Sequence, residues 1–153
     1  MRLHEFAIDQ LIKGDDMSEG DLRLEGFGSI NWLKDRSSAR IFKIMKTYDI
    51  SASHHLSTLP DTHPCSRVHG HNYKIYVYAK GKIKTPEMWI VDFGDMDKEV
   101  KPIIKKIDHV HLNPHIDVPT CEMVALWILE QLPDYVYKVR VSETDKTFGE
   151  VER

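Results

Sequence analysis

Residues 65–71 read CSRVHGH, which brings one thiol and two imidazoles into a single short stretch. Such side chains can ligate a metal ion, move a proton or act as a nucleophile. They can also be polar residues that merely fall together. The chain has nine histidines in 153 residues, and eight of the nine lie between His54 and His115. The groups able to do chemistry are therefore concentrated in the middle of the chain.

Strand geometry sorts them. In HGHNYKIYVYAKGKI, His69 and His71 share the parity of Tyr73, Ile75, Val77 and Ala79. Both imidazoles thus point to the apolar face of a predicted strand, roughly 6.6 Å apart along it. The preceding segment RIFKIMKTYDISASH alternates in the same way, with Phe42, Ile44, Tyr48, Ile50 and Ala52 on one face and only Lys46 interrupting. His54 has the parity of that face and falls at the end of the strand. If the two strands pair as antiparallel neighbours across the loop 56–68, His54 meets His69 and His71. Three imidazoles suit Zn²⁺ and leave a fourth position open for water or substrate, the form of a catalytic rather than a structural site. A single inward histidine is ordinarily a satisfied core residue; three converging at strand ends are harder to place in a core. His55 has the opposite parity and is expected to face solvent. His63, His111 and His115 are expected as surface residues of loops.

Other candidates flank this group. Cys65 lies four residues before His69. Near Zn²⁺ and basic groups a thiol pKa can fall below its usual ~8.5, which makes a base or nucleophile. Cys65 could equally be a fourth ligand or a small buried residue. Cys121 sits among apolar helix residues and reads as core. Asp108 and His109 stand together in IDHVHLN, where the carboxylate can hold the imidazole in one tautomer. The pair could instead cap the C-terminal end of the helix before it. Glu143 has the parity of Tyr137, Val139 and Val141 in YVYKVRVSET, so it points inward at the end of an apolar face. A buried carboxylate needs partners. A ligand edge with adjacent N–H donors, such as a 2-amino-4-oxo pyrimidine, would supply two; an internal salt bridge with an Arg would also serve.

The elements that must hold these residues follow from the same patterns. EMWIVDF reads as a short third strand. GDMDKEVKPIIKKI spaces Met96, Val100, Ile103, Ile104 and Ile107 as one helical stripe, with Pro102 expected to kink it. PTCEMVALWILEQL reads as a second helix, with Thr120 as N-cap and Glu122 in the favourable first turn. The order β-β-β-α-α-β predicts an α+β layer architecture, an antiparallel sheet with helices grouped together. Residues 1–38 read as an N-terminal extension, polar and glycine-bearing, with Leu3, Phe6, Ala7 and Leu11 spaced for a short amphipathic helix. RSSA, residues 36–39, reads as a linker into a domain of residues 39–153.

Composition bounds the function. Apolar residues are 41% and charged residues 29%, ordinary for a globular protein, and the net charge of -3 argues against a nucleic-acid surface. No apolar run approaches the ~20 residues of a membrane span. The N-terminus does not resemble a signal peptide. Two cysteines make no disulfide framework, which suits a reducing, cytoplasmic setting.

Taken in order, SASHHL, CSRVHGHNY, WIVDFGDM, IDHVHLN, PTCEMVALWI and VRVSET resemble the 6-pyruvoyl-tetrahydropterin synthase / 6-carboxy-tetrahydropterin synthase family, over about residues 40–148. The resemblance implies a tunnelling (T-) fold, an antiparallel sheet with two helices on one face, assembled into an oligomeric barrel. It further implies homohexamers made from two trimers, with active sites at subunit interfaces. It implies that His54, His69 and His71 hold Zn²⁺, that Cys65 is the catalytic thiol, and that Asp108 and His109 complete the proton-relay set. Glu143 would anchor the pterin ring, with Thr120 and Glu122 near it. The spacing Cys-x-x-x-His-Gly-His resembles the 6-carboxy-tetrahydropterin synthase branch of the queuosine and 7-deazapurine pathway; pyruvoyl-forming members usually carry a longer gap. The implied substrate is 7,8-dihydroneopterin triphosphate, and the implied products are 6-carboxy-5,6,7,8-tetrahydropterin, triphosphate and acetaldehyde. One departure is His55, which stands where an Arg is common after the first zinc histidine. The alternatives are the pyruvoyl-forming synthase and a zinc- and pterin-binding protein without turnover. An unrelated three-histidine zinc hydrolase would need neither the thiol nor the inward glutamate.

Overall fold

The computed structural model describes residues 30–153, so the amphipathic helix expected around Leu3–Leu11 lies outside the described residues. Helix α1 spans Ile30–Ser37. It takes in Arg36 and Ser37, so half of the expected linker RSSA is helical and only Ser38 and Ala39 form a turn. The residues from Ser37 to Arg153 form one compact unit.

That unit is built on a four-stranded antiparallel sheet in the order β1-β2-β3-β4. β1 (Phe42–His54) and β2 (His69–Gly81) are both 13 residues long and pair over their whole length, from Phe42↔Gly81 to His54↔His69. β3 (Val136–Thr144) pairs with β2, with Lys74 opposite Ser142 and Val77 opposite Val139. β4 (Thr147–Glu152) returns along β3 after a two-residue turn. Period-two alternation is obeyed: Tyr48, Ile50, Ala52, Tyr73, Ile75, Val77, Val139 and Val141 are buried on one face.

Two helices cover that face. α2 (Phe93–Ile104) starts at Asp92, whose side chain accepts from the N–H groups of Gly94 and Asp95. Its stripe Met96, Val100, Ile103 and Ile104 is buried. Pro102 lies inside α2, and the helix ends two residues later; Ile107 is fully buried from the turn that follows rather than from the helix. α3 (Cys121–Leu129) is capped by Thr120, which accepts from the Met123 N–H, and it buries Cys121, Val124, Ala125, Ile128 and Leu129. The strand and helix residues form one hydrophobic core.

Two expectations need correction. EMWIVDF is not a strand: it makes a single isolated bridge, Lys84↔Trp89, around a tight turn. The sheet β1-β2-β3-β4 does not include this segment, which leads instead into the α2 cap at Asp92. Conversely, TFGEVE forms β4, a strand additional to those expected. The observed order is therefore β-β-α-α-β-β, still α+β with both helices between the second and third strands.

Candidate metal centre and its surroundings

The full β1–β2 register brings His54 directly opposite His69, and His71 opposite Ala52. All three rings meet: the His54 ring centroid lies 4.4 Å from that of His69 and 5.2 Å from that of His71, and His69 and His71 are 5.0 Å apart. One nitrogen from each ring falls within 4.8 Å of the other two, a set that could hold a metal ion.

The backbone decides which nitrogens are free. His54 Nδ1 is 2.7 Å from the Pro119 carbonyl, and His69 Nδ1 is 2.8 Å from the Arg67 carbonyl. A carbonyl can only accept, so in both rings Nδ1 carries the proton and Nε2 keeps a lone pair. Metal-ligating histidines are oriented in this way by a backbone carbonyl or carboxylate on the other nitrogen. His54 Nε2 is buried with no hydrogen-bond partner in the protein. Burial first, and then the neighbouring His69 and His71, hold the His54 pKa below its ordinary value against the opposing pull of Pro119 and Glu143. The imidazole is thus kept neutral, the form that ligates. These residues fit a metal ion by their geometry and their donor set.

Glu143 reaches the same place from β3. Its Oε1 lies 3.9 Å from His54 Nε2, and a quarter of its side chain is exposed. No arginine pairs with it among its ion pairs, so the internal salt bridge weighed from sequence is not what it makes. The β3–β4 register shifts between Val141 and Thr144, and Ser142 Oγ bridges the irregularity by donating to the carbonyls of Thr144 and Thr147. Ser142 therefore holds the strand segment that aims Glu143. Beside it, burial and the Glu143 carboxylate push the Cys121 thiol up to about 12, so Cys121 is an inert core group, as expected.

Cys65 sits in a one-turn 3₁₀ helix, Pro64–Ser66, half-buried, with its N–H donated to His63 Nδ1. Its carbonyl accepts from the Leu56 N–H at 2.8 Å, which ties the loop to the end of β1 near His54. The converging nitrogen set does not include its thiol. The fourth-ligand alternative therefore has no geometric support.

Asp108 and His109 do not cap a helix. Asp108 Oδ1 accepts from the Ser51 N–H at 3.0 Å and from His109 Nδ1 at 2.8 Å. These bonds, the Ser51 N–H first, lower the Asp108 pKa. His109 is in the left-handed region, φ 58, and its N–H donates to the Ser51 carbonyl. Residues 109–112 continue alongside β1 through the Ser53 N–H to the Val110 carbonyl and the Leu112 N–H to the Ser53 carbonyl. The pair is thus fixed by the strand edge, with the His109 ring held out to solvent, its side chain 79% exposed. A cleft of about 560 Å³ lined by Ser53, His71, Asn72, His109 and His111 joins this edge to the histidine strand.

His55 and His111 were expected at the surface. Instead both are half-buried, with His55 Nδ1 3.3 Å from His111 Nε2 and Ser53 Oγ 3.1 Å from His111 Nδ1. His63 and His115 are exposed, as expected. Thr120 uses its side chain to cap α3, while Glu122 is exposed in the first helical turn. Sequence reasoning missed Pro119 and Ser142, and only a three-dimensional neighbour could have revealed either.

An antiparallel sheet with paired helices on one face, and three converging imidazoles beside an inward glutamate, defines an α+β domain with a side-chain set able to hold a metal ion. The chain belongs to the 6-pyruvoyl tetrahydropterin synthase family, which matches residues 43–153. It is 37% identical over 106 residues to the Archaeoglobus fulgidus protein named "Putative 6-carboxy-5,6,7,8-tetrahydropterin synthase", covering 67% of this chain and 89% of that one. Over 65 residues it is 38% identical to a dihydroneopterin monophosphate aldolase of Pyrococcus furiosus, covering 42% of this chain and 55% of that one. Its fold is similar to that of Caenorhabditis elegans 6-pyruvoyl tetrahydropterin synthase, with a TM-score of 0.68 and 26% identity over 74% of this chain and 96% of the other. Among the described residues no helix is long and apolar enough to cross a membrane.

Proposed function

We propose that this chain is a zinc-dependent 6-carboxy-5,6,7,8-tetrahydropterin synthase. It would convert 7,8-dihydroneopterin triphosphate, with uptake of water, to 6-carboxy-5,6,7,8-tetrahydropterin, triphosphate and acetaldehyde. The observation that carries the reading is the meeting of His54, His69, His71 and Glu143 at one end of the β1–β2–β3 sheet. The Cys-x-x-x-His-Gly-His spacing and the similarity to the Archaeoglobus fulgidus protein favour the carboxy-forming branch.

His54, His69 and His71 would hold Zn²⁺, which when bound supplies a Lewis acid that stabilises negative charge developing on the substrate side chain. Glu143 would accept the two N–H donors of the pterin edge and fix the ring relative to the histidines. Thr120 and Glu122 lie at the start of α3, next to the Pro119 carbonyl that orients His54, and would border the pterin. Cys65, as thiolate, would take a proton from the side chain. His109, held in one tautomer by Asp108 at Nδ1, would present Nε2 to move the second proton. The exposure of His109 suits a group that works at a subunit boundary, and we assign the active form as a homohexamer built from two trimers. Residues 1–38 are assigned as an extension to a synthase domain of residues 39–153, acting in the cytoplasm in queuosine or 7-deazapurine biosynthesis.

The similarity to an aldolase gives a second reading, in which a retro-aldol step cleaves the side chain to a 6-hydroxymethyl-dihydropterin and a two-carbon aldehyde that keeps the phosphate ester. One assay separates the readings: zinc-loaded protein is incubated with 7,8-dihydroneopterin triphosphate, and the pterin and aldehyde are identified by mass spectrometry. Carboxy-tetrahydropterin with acetaldehyde is the expected result. A pyruvoyl product, or a hydroxymethyl-dihydropterin with a phosphorylated two-carbon aldehyde, would keep the site and overturn the branch. Binding without turnover would make the chain a zinc- and pterin-binding protein.

A further inference from the structure

Two buried side-chain polar atoms lack any hydrogen-bond partner among the described residues: His54 Nε2 and the hydroxyl of Tyr73. The first is explained by a metal ion. The second is not, because an ion held by the histidines leaves a phenol that is no part of the ligand set still unpaired. Tyr73 is fully buried, yet a phenylalanine would fill the same space without stranding an O–H.

The position of Tyr73 shows what the hydroxyl is near. It follows His71 by two residues on β2, and its ring lies edge-on at 5.5 Å from the His71 ring and 5.9 Å from the His54 ring. On β1 it pairs with Ile50. On the other side, the β2–β3 ladder ends with Lys74 opposite Ser142, the chain neighbours of Tyr73 and Glu143. A phenol has one proton to donate, and Tyr73 stands beside the histidine cluster on β2, next to the end of β3 that carries Glu143.

We infer that the Tyr73 hydroxyl is a further ligand contact, donating a hydrogen bond to an acceptor atom of the heterocycle that Glu143 anchors. The inference rests on the pterin reading above. A 2-amino-4-oxo pyrimidine edge carries two N–H donors flanked by acceptors, the ring nitrogen on one side and the carbonyl oxygen on the other. A carboxylate set beside a phenol presents the matching pattern, acceptor next to donor. Glu143 would read the donors and Tyr73 the flanking acceptor, so the pair would select for the edge as a whole.

The test uses the full zinc-loaded chain titrated with 7,8-dihydroneopterin, which lacks the phosphates, as wild type, Tyr73→Phe and Glu143→Gln. Metal content and melting of the metal-free proteins are measured in parallel. The expected result for Tyr73→Phe is about tenfold weaker pterin binding, an unchanged zinc content, and a metal-free melting temperature at or above that of wild type. Pterin affinity equal to wild type in Tyr73→Phe, with Glu143→Gln impaired, would overturn the contact and leave the pterin reading standing. A lower melting temperature in metal-free Tyr73→Phe would overturn it too, by assigning the hydroxyl to the core. Absence of pterin binding by the wild type would remove the pterin reading and this inference with it.

Discussion

The inward face of the sheet carries two polar clusters, and they are built on opposite rules. Near the start of α2, Asp97 accepts from Lys46 at 2.6 Å, from Lys101 at 2.8 Å and from the Tyr48 hydroxyl at 3.0 Å. Lys46 also donates to the Phe93 carbonyl. Every polar group there has a partner, and the two lysines hold the Asp97 carboxyl down to about 2. At the other end of the same strands, His54 Nε2 and the Tyr73 hydroxyl are buried with no partner, and Glu143 stops 3.9 Å short of His54. A network that serves the fold is closed. The other cluster is left open, at a cost in unpaired buried polar atoms, as the proposed ligand site requires.

The comparison can be broken by substitutions that should sort into function without stability and stability without function. The largest effect is expected from His69→Ala, which removes one nitrogen of the converging set. Zinc affinity should fall more than about 100-fold, beyond what loss of an outer-shell partner costs, while the fold persists. A full complement of zinc by metal analysis would show that the three histidines are not the ligands. Cys65→Ala comes next: turnover should drop by about 10²–10⁴-fold, with zinc content and melting temperature unchanged. Turnover at the wild-type rate would remove the thiol from the mechanism.

Asp97→Asn should do the reverse. It should lower stability by about 1–2 kcal/mol in a urea titration and leave zinc and pterin binding alone. Loss of zinc in this variant would mean that the two clusters are coupled. The smallest effect sharpens the contrast through pH. Asp97 has a depressed folded pKa, so its stabilisation is present in full above the ordinary carboxylate value near 3.8 and is lost as pH falls through about 2. Comparing wild-type and Asp97→Asn melting between pH 5 and 2 should show the difference between them shrinking as the pH drops. A constant difference would place the stabilisation elsewhere.

Much of the open cluster is legible in the order of the residues alone. Parity on β1 and β2 places His54, His69 and His71 on one face, and parity on β3 turns Glu143 inward. Lys46, which breaks the apolar pattern of β1, is explained by Asp97 from a helix 51 positions further on. The segment 89–93 misleads because two alternating apolar residues satisfy a strand pattern whether or not a neighbouring ladder exists. β4 is missed by a pattern taken to end at the glutamate motif, although Gly149 and Val151 continue the alternation. Parity alone assigns His55 to solvent, because it takes no account of a segment returning from position 111.

The sequence by itself determined which side chains share a face, where α3 begins, and that imidazoles and a carboxylate lie at strand ends. Those properties follow from the two-residue period of a strand and the local chemistry of a helix cap, and both act over a few residues. Only the tertiary structure decided that the Pro119 and Arg67 carbonyls accept from Nδ1 of His54 and His69, which keeps the proton there and leaves Nε2 free. Only it could show that Asp108 and His109 are pinned to the edge of β1 rather than capping α2, and that Tyr73 has nothing to donate to. Each of these depends on where a carbonyl or an N–H comes to rest, most of them after the chain has travelled some 60 residues and returned, and no local periodicity records that.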